Sequence, residues 1–189
     1  MRDFIINRIK EHRPKSIELP EIPDFGNDDS LLSFIEASKT SAATVVHMAT
    51  GESIEDVIKI HYPNAKRIVN TVSEIKIKSL DPIAVAPRDI HPLDLTIING
   101  EFGVVENGAI WVETQHLPHR VIPFIAEHLI IILSQKDIVG DMHDAYRRLK
   151  TSSSSGFGVF IAGPSKTADI EQCLVIGAQG PRSLLVVVW

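Results

Sequence analysis

After the apolar run Phe157 to Ala162 come Gly163-Pro164-Ser165-Lys166-Thr167 and, two residues on, Asp169. Glycine lets a chain turn sharply against a ligand, proline fixes φ, and Ser165 or Thr167 can cap a following helix, leaving backbone N–H groups aimed outward. Such a cradle suits a small anion. The same residues also serve as plain helix capping, with Asp169 favoured by the helix dipole. The Gly-Lys-Ser/Thr ending of a nucleotide P-loop is absent. A second candidate is Glu106-Asn107-Gly108, where a carboxylate on a tight turn can act as nucleophile or base if shielded from water, or stand as a solvated turn acid. A third is the polar loop His116-Leu117-Pro118-His119-Arg120, just after Glu113. Two histidines and a carboxylate are enough for an open zinc site. Pro118 breaks the helical register that would converge them, however, so no metal is expected, and the loop reads as a solvated one or as a simple anion contact by Arg120.

The remaining polar residues carry less. His47, His128 and His143 stand alone in apolar or helical settings, where packing explains them. Cys173 falls in a helix expected from about Ala168, beside Ile170 and Leu174, and is expected to be buried and inert.

The elements that position these residues follow from periodicity. Residues 3–12 suit a short helix carrying Phe4, Ile5 and Ile9 toward a partner, and Pro14 to Asp29 an extended connector. Ser30 is the expected N-cap of a helix with Leu31, Phe34 and Ile35 on one face. Strands are expected at Thr44 to Met48, Arg67 to Val72, Leu95 to Asn99, Phe102 to Val105, Ala109 to Glu113, Leu129 to Leu133, Phe157 to Ala162 and Leu184 to Val188. Asn107-Gly108 joins two of them as a hairpin, because both residues tolerate positive φ. Helices are expected at Ser53 to His61, Arg120 to His128, Asp137 to Leu149 and Ile170 to Ile176, the last with Gly177 past its end. The turn Gln179-Gly180-Pro181-Arg182 then falls at the opposite end of the sheet from Gly163. Ile75 to Ala86 is ambiguous, and Ser152 to Ser155 form a flexible loop.

Repeated β-α-β units with all-apolar strands imply an α/β fold: three layers, an open, mostly parallel sheet with helices on both faces, and an antiparallel hairpin insertion. We divide the chain into N-terminal helices and connector, 1–43, and an α/β domain, 44–189.

Composition narrows the function classes. With 19 Lys and Arg against 24 Asp and Glu, the net charge is −5. A nucleic-acid grip needs a concentrated basic face, so none is expected. The chain has one cysteine, too few for a disulfide or for the four thiolates of an iron–sulfur cluster. The start lacks the apolar core of a secretory signal, and no segment reaches the ~20 apolar residues of a membrane span. A cytoplasmic location is expected.

Taken together, Gly103-Val-Val-Glu106-Asn107-Gly108-Ala109, Arg120 with the later His128, and Phe160-Ile-Ala-Gly163-Pro-Ser-Lys-Thr-Ala-Asp169-Ile-Glu171 followed by Gly177-Ala-Gln-Gly180-Pro181 resemble the lactate utilization protein C family, the LUD-domain proteins. The likeness covers about residues 80–189. That family often has Thr where Asn107 stands and His where Gln179 stands. The resemblance implies the sheet shared by sugar-phosphate isomerases, formyltetrahydrofolate cyclo-ligases and CoA transferases. It also implies a subunit or accessory role in oxidising L-lactate to pyruvate beside cysteine-rich, iron–sulfur partner proteins. On that reading this chain holds no cofactor and binds a small anionic, lactate-like metabolite. Gly163, Pro164, Ser165, Lys166, Thr167 and Asp169 would form the carboxylate-binding element, with Arg120, Asn107 and Gly108 as further contacts. Two alternatives stand beside it. One is a CoA-transferase-like acyl-group enzyme, since Glu106-Asn107-Gly108 resembles the segment carrying the glutamate nucleophile of those enzymes. The other is a non-catalytic interaction module docking through residues 1–29.

Overall fold

The computed structural model describes residues 1–189 except 16, 19, 22, 24–27, 50, 82, 84–86, 152–155 and 171–172. Two helices open the chain, α1 (Arg2–Glu11) and α2 (Leu31–Thr40). The alternating part begins with β1 (Thr44–His47), α3 (Ile54–His61), β2 (Ile68–Asn70), α4 (Pro87–Ile90) and β3 (Leu93–Asn99). There follow β4 (Phe102–Val104), β5 (Ala109–Glu113), a 3-10 turn at Thr114–His116, α5 (Ile122–Ile125) and β6 (Ala126–Leu133). The last third holds β7 (Ile138–Val139), α6 (Met142–Thr151), β8 (Gly158–Ile161), β9 (Lys166–Ile170), β10 (Cys173–Ile176) and β11 (Ser183–Val188).

Five strands form one all-parallel sheet in the order β1-β11-β6-β3-β2. Side chains alternate across a strand, and β6 shows what that sorting does. Ile130 and Ile132 pack with Ile58 of α3, Leu95, Ile97, Leu185 and Val187 on one face. On the other, Leu129, Ile131 and Leu133 pack with Phe34 of α2, Ile98, Val186 and Val188. Both faces are therefore covered, as continuous apolar strands require. Phe34 is fully buried, so α2 is anchored to the core, and Ser30 caps it by accepting the Ser33 amide at 3.2 Å. By contrast α1 has no buried residue; Phe4, Ile5 and Ile9 are exposed.

The expected α/β architecture, a mostly parallel sheet flanked by helices, is present. The hairpin is part of a larger, mixed sheet: β4 and β5 pair antiparallel within four strands of order β7-β4-β5-β8, in which β7 runs parallel to β4. Ile110 and Val112 of this sheet face the parallel sheet. Phe102 and Val104 face the other way, against Ala145, Met142 and Leu149 of α6.

Several local expectations are corrected. Ile170 to Ile176 is no helix: Lys166 pairs with Ile176 and Thr167 with Val175 in an antiparallel β9–β10 ribbon. The β-branched Thr167, Ile170, Val175 and Ile176 suit strands, and a pairing partner a few residues away decides the matter. Cys173 is accordingly exposed on β10, neither helical nor buried. The Arg120 to His128 helix shrinks to the single turn α5, since pairing of Ala126 with Leu93 and His128 with Leu95 and Ser183 draws the chain into β6. Likewise Ile138 and Val139 pair with β4, and α6 starts only at Met142. The turn at Gly180-Pro181 does not lie at the far end of the sheet from Gly163, because the Ser165 amide donates to the Pro181 carbonyl at 2.8 Å. No regular element covers 75–81; part of that ambiguous stretch, part of the connector and Ser152 to Ser155 lie outside the described residues. Among the described residues, no helix is long and apolar enough to cross a membrane.

Candidate functional site

Glu106, Asn107 and Gly108 form a structural joint. The Glu106 carboxylate accepts the Met142 amide at 2.9 Å, and Asp141 accepts that of Asp144 at 2.8 Å. Between them they satisfy two of the four N–H groups left open at the start of α6. Asn107 accepts the Ala109 amide at 3.0 Å through its side chain and the Ser41 hydroxyl at 3.0 Å through its carbonyl. Gly108 sits at φ +68°, where a Cβ would come within 2.6–2.8 Å of Ser38 and Ala37 backbone atoms. The turn thus ties the second sheet to α2 and α6.

The Gly163 to Thr167 stretch is also occupied by the protein itself. Gly163 takes φ +72°, and any Cβ there would overlap the Ser41 carbonyl oxygen. Pro164 is buried, the Ser165 carbonyl accepts the Gly177 amide at 2.9 Å, and the Lys166 ammonium donates to the Ser41 carbonyl at 2.7 Å. Thr167 and Asp169 lie in β9. The expected helix N-terminus is missing, and with it the dipole and open amides that would attract an anion. Both motifs instead converge on Ser41, just past α2.

The polar loop after β5 divides into two faces. On one, Glu113 and His116 meet Glu101: a ligand-type oxygen or nitrogen from each lies within 4.8 Å of the others. The Glu113 side chain is only 11% exposed and His116 64%, with 3.6 Å between His116 Nε2 and the Glu113 carboxylate. Gln115 donates to the same carboxylate and lies 3.3 Å from His116 Nε2. Burial, and then the Glu113 charge beside it, push the Glu101 carboxyl above its ordinary range. The three residues line a cavity of about 370 Å³ with Thr71, Asn99 and Leu117. Asn99 and Glu101 also line a second cavity, about 410 Å³, with Glu74, Ser134, Asp137 and Trp189. Asn99, Glu101, Ser134, Asp137 and Trp189 lie at or just past the carboxyl ends of β3, β6 and β11, where open α/β sheets bind ligands. Asp137 is paired with Arg148.

On the loop's other face, His119 and Arg120 line a cavity of about 590 Å³ with Thr114, Gln115, Gly156 and Phe157. The exposed Arg120 guanidinium lies 5.8 Å from the centre of the Phe157 ring and makes no ion pair among the described residues. Buried His119 Nε2 has no hydrogen-bond partner among them either.

Sequence spacing missed Glu101 and Asp137. The signal that finds them is position, immediately beyond apolar strands, rather than motif. His128 is not a lone packing residue, for its Nδ1 lies 2.8 Å from the Ser183 hydroxyl, which is 2.9 Å from the Tyr62 hydroxyl. This trio sits at the amino ends of β6 and β11, where burial pushes the Tyr62 phenol upward.

Comparison with known proteins fits this architecture. Residues 87–189 match the model of the LUD domain. Lactate utilization protein C 1 of Bacillus mycoides (strain KBAB4) is 30% identical over 101 residues, 50% of this chain and 43% of that protein. Lactate utilization protein C of Halalkalibacterium halodurans is also 30% identical over 101 residues, 50% of this chain and 44% of that one. The matches thus span less than half the length of these curated relatives. In structure, the chain is similar to a DUF162 family protein from Deinococcus radiodurans, with a TM-score of 0.66 and 16% identity over 84% of this chain and 94% of the other, a likeness of fold. With its family model matched over more than half of its length, the chain belongs to the LUD domain family.

Proposed function

We propose that this protein serves a cytoplasmic lactate-utilisation system. It binds a small carboxylate such as L-lactate or pyruvate in the His119–Arg120 cavity, while iron–sulfur partner proteins carry the electrons of lactate oxidation. The system comes from relatives named for lactate utilisation. The placement rests on one observation: the cavity is lined by the exposed Arg120 guanidinium, which makes no ion pair among the described residues. Arginine suits carboxylates because its planar fork of N–H groups matches their two oxygens. The cleft at the carboxyl ends of the strands is the weaker host for an anion, since Glu74, Glu101, Glu113 and Asp137 line it or the cavity beside it. With one cysteine, the chain has no four-thiolate site of its own, which is why the clusters are assigned to partners.

The test is calorimetric titration of the protein with L-lactate, D-lactate, pyruvate and acetate. Saturable binding of lactate or pyruvate, lost in Arg120→Gln, supports the reading. Absence of binding by all four, or unchanged binding by Arg120→Gln, overturns the assignment to this cavity.

A further inference from the structure

We infer that Glu101, Glu113 and His116 form a binding site for a first-row divalent cation, of the Mn²⁺ or Zn²⁺ class. The inference is independent of the lactate reading and of the His119–Arg120 cavity.

Three features carry it. The first is the donor set: two carboxylates and one imidazole from the loop before β4, the end of β5 and the 3-10 turn, with ligand-type atoms within 4.8 Å of one another. In a coordination shell with metal–ligand distances near 2.1 Å, two ligand atoms stand about 3 to 4.4 Å apart. A small inward rotation closes the difference, and His116, 64% exposed, is free to make it. Mixed oxygen and nitrogen ligation favours first-row divalent ions over Mg²⁺ and Ca²⁺, which prefer oxygen alone.

The second is electrostatic. The fold brings the partly buried carboxylates of Glu101 and Glu113 together on one cavity wall. A divalent cation between them neutralises such a pair while satisfying both. Among the described residues, the Glu101 carboxylate has no hydrogen-bond donor, and the nearby Arg148 is directed to Asp137 and to the Glu101 carbonyl.

The third is surroundings. Gln115, which donates to the Glu113 carboxylate, is an outer contact of the kind that orients a ligating carboxylate. The three ligands occupy one side of a cavity of about 370 Å³, so coordination positions are left open for water or another oxygen ligand.

The experiment titrates MnCl₂ into the metal-stripped protein. Free Mn²⁺ is followed by its electron paramagnetic resonance signal, and Zn²⁺ competes in a second titration. The expected result is one Mn²⁺ per chain, displaced by Zn²⁺. Loss of an outer partner alone weakens such sites ~10- to 100-fold, so Glu101→Gln, Glu113→Gln and His116→Gln should each lose at least that much affinity. Glu36→Gln, on the exposed side of α2, should bind as the unaltered chain does. Because His116 lies at the surface, its variant keeps the test valid even if a glutamate variant folds poorly. No binding of either ion below about 1 mM overturns the inference. So does wild-type affinity in His116→Gln.

Discussion

The Glu106 carboxylate accepts the Met142 amide at 2.9 Å, so the turn between β4 and β5 holds the first residue of a helix 36 positions away in sequence. Removing a side-chain cap costs about 0.5 to 2 kcal/mol. Glu106→Ala should therefore lower the unfolding free energy measured in urea by an amount in that range, and Glu106→Gln, which keeps an acceptor oxygen, by less. Equal stability of all three proteins would show that the cap does not hold α6.

At Gly163 the backbone is left-handed and pressed against the Ser41 carbonyl. Left-handed φ costs an L-residue roughly 1 to 2 kcal/mol and overpacking typically ~1 to 3 more. Gly163→Ala should thus be among the most destabilising single changes in the chain, read from thermal or urea unfolding. Removing the Lys166 ammonium, as in Lys166→Met, loses only a part-exposed hydrogen bond and should cost far less.

Arg120 is exposed and contributes no ion pair among the described residues. Its replacement by alanine should leave stability within about 0.5 kcal/mol, as for most surface changes. Carboxylate binding measured by calorimetry should nevertheless fall by roughly tenfold or more, the loss of a charge-assisted hydrogen bond.

Asp94 accepts the amides of Lys66 and Arg67 at 2.7 and 2.9 Å, pinning the start of β2 to β3. These bonds favour the ionised form and hold its carboxyl below the ordinary aspartate range. Its contribution is therefore complete above that ordinary range and is lost as pH falls through the lowered value. Asp94→Asn should be less stable than the unaltered chain at pH 7 by about 1 to 2 kcal/mol, and the gap should close as the solution is made acid. A gap that widens toward acid would contradict the sign.

Exposed Cys173 on β10 should react with a thiol reagent at full stoichiometry without denaturant. Protection until urea is added would contradict its place in the β9–β10 ribbon.

Much of the fold is legible in the chain because it rests on local pattern. The apolar runs of β3, β6 and β11 imply a sheet buried on both faces, Ser30 marks the start of α2, and Asn107-Gly108 marks the β4–β5 turn. The family likeness lies in the same stretches. Their residues carry positive φ, a cap and close packing, which are requirements of backbone geometry that a linear motif records. Helix against strand in 166–176 was not legible, since the outcome depends on a partner strand rather than on the segment alone.

The sequence by itself determined the α/β class, the parallel core and the family. Only the tertiary structure decided where chemistry can occur. It joined Asn107 and Lys166 at Ser41, across 66 and 125 residues, turning two apparent ligand motifs into joints of the framework. It also split the loop after β5, sending Glu113 and His116 toward Glu101 and leaving His119 and Arg120 in a separate cavity. The reason is physical. Hydrophobic period and turn preference act between neighbours along the chain, whereas the meeting of charged side chains depends on which strand ends the folded sheet brings together.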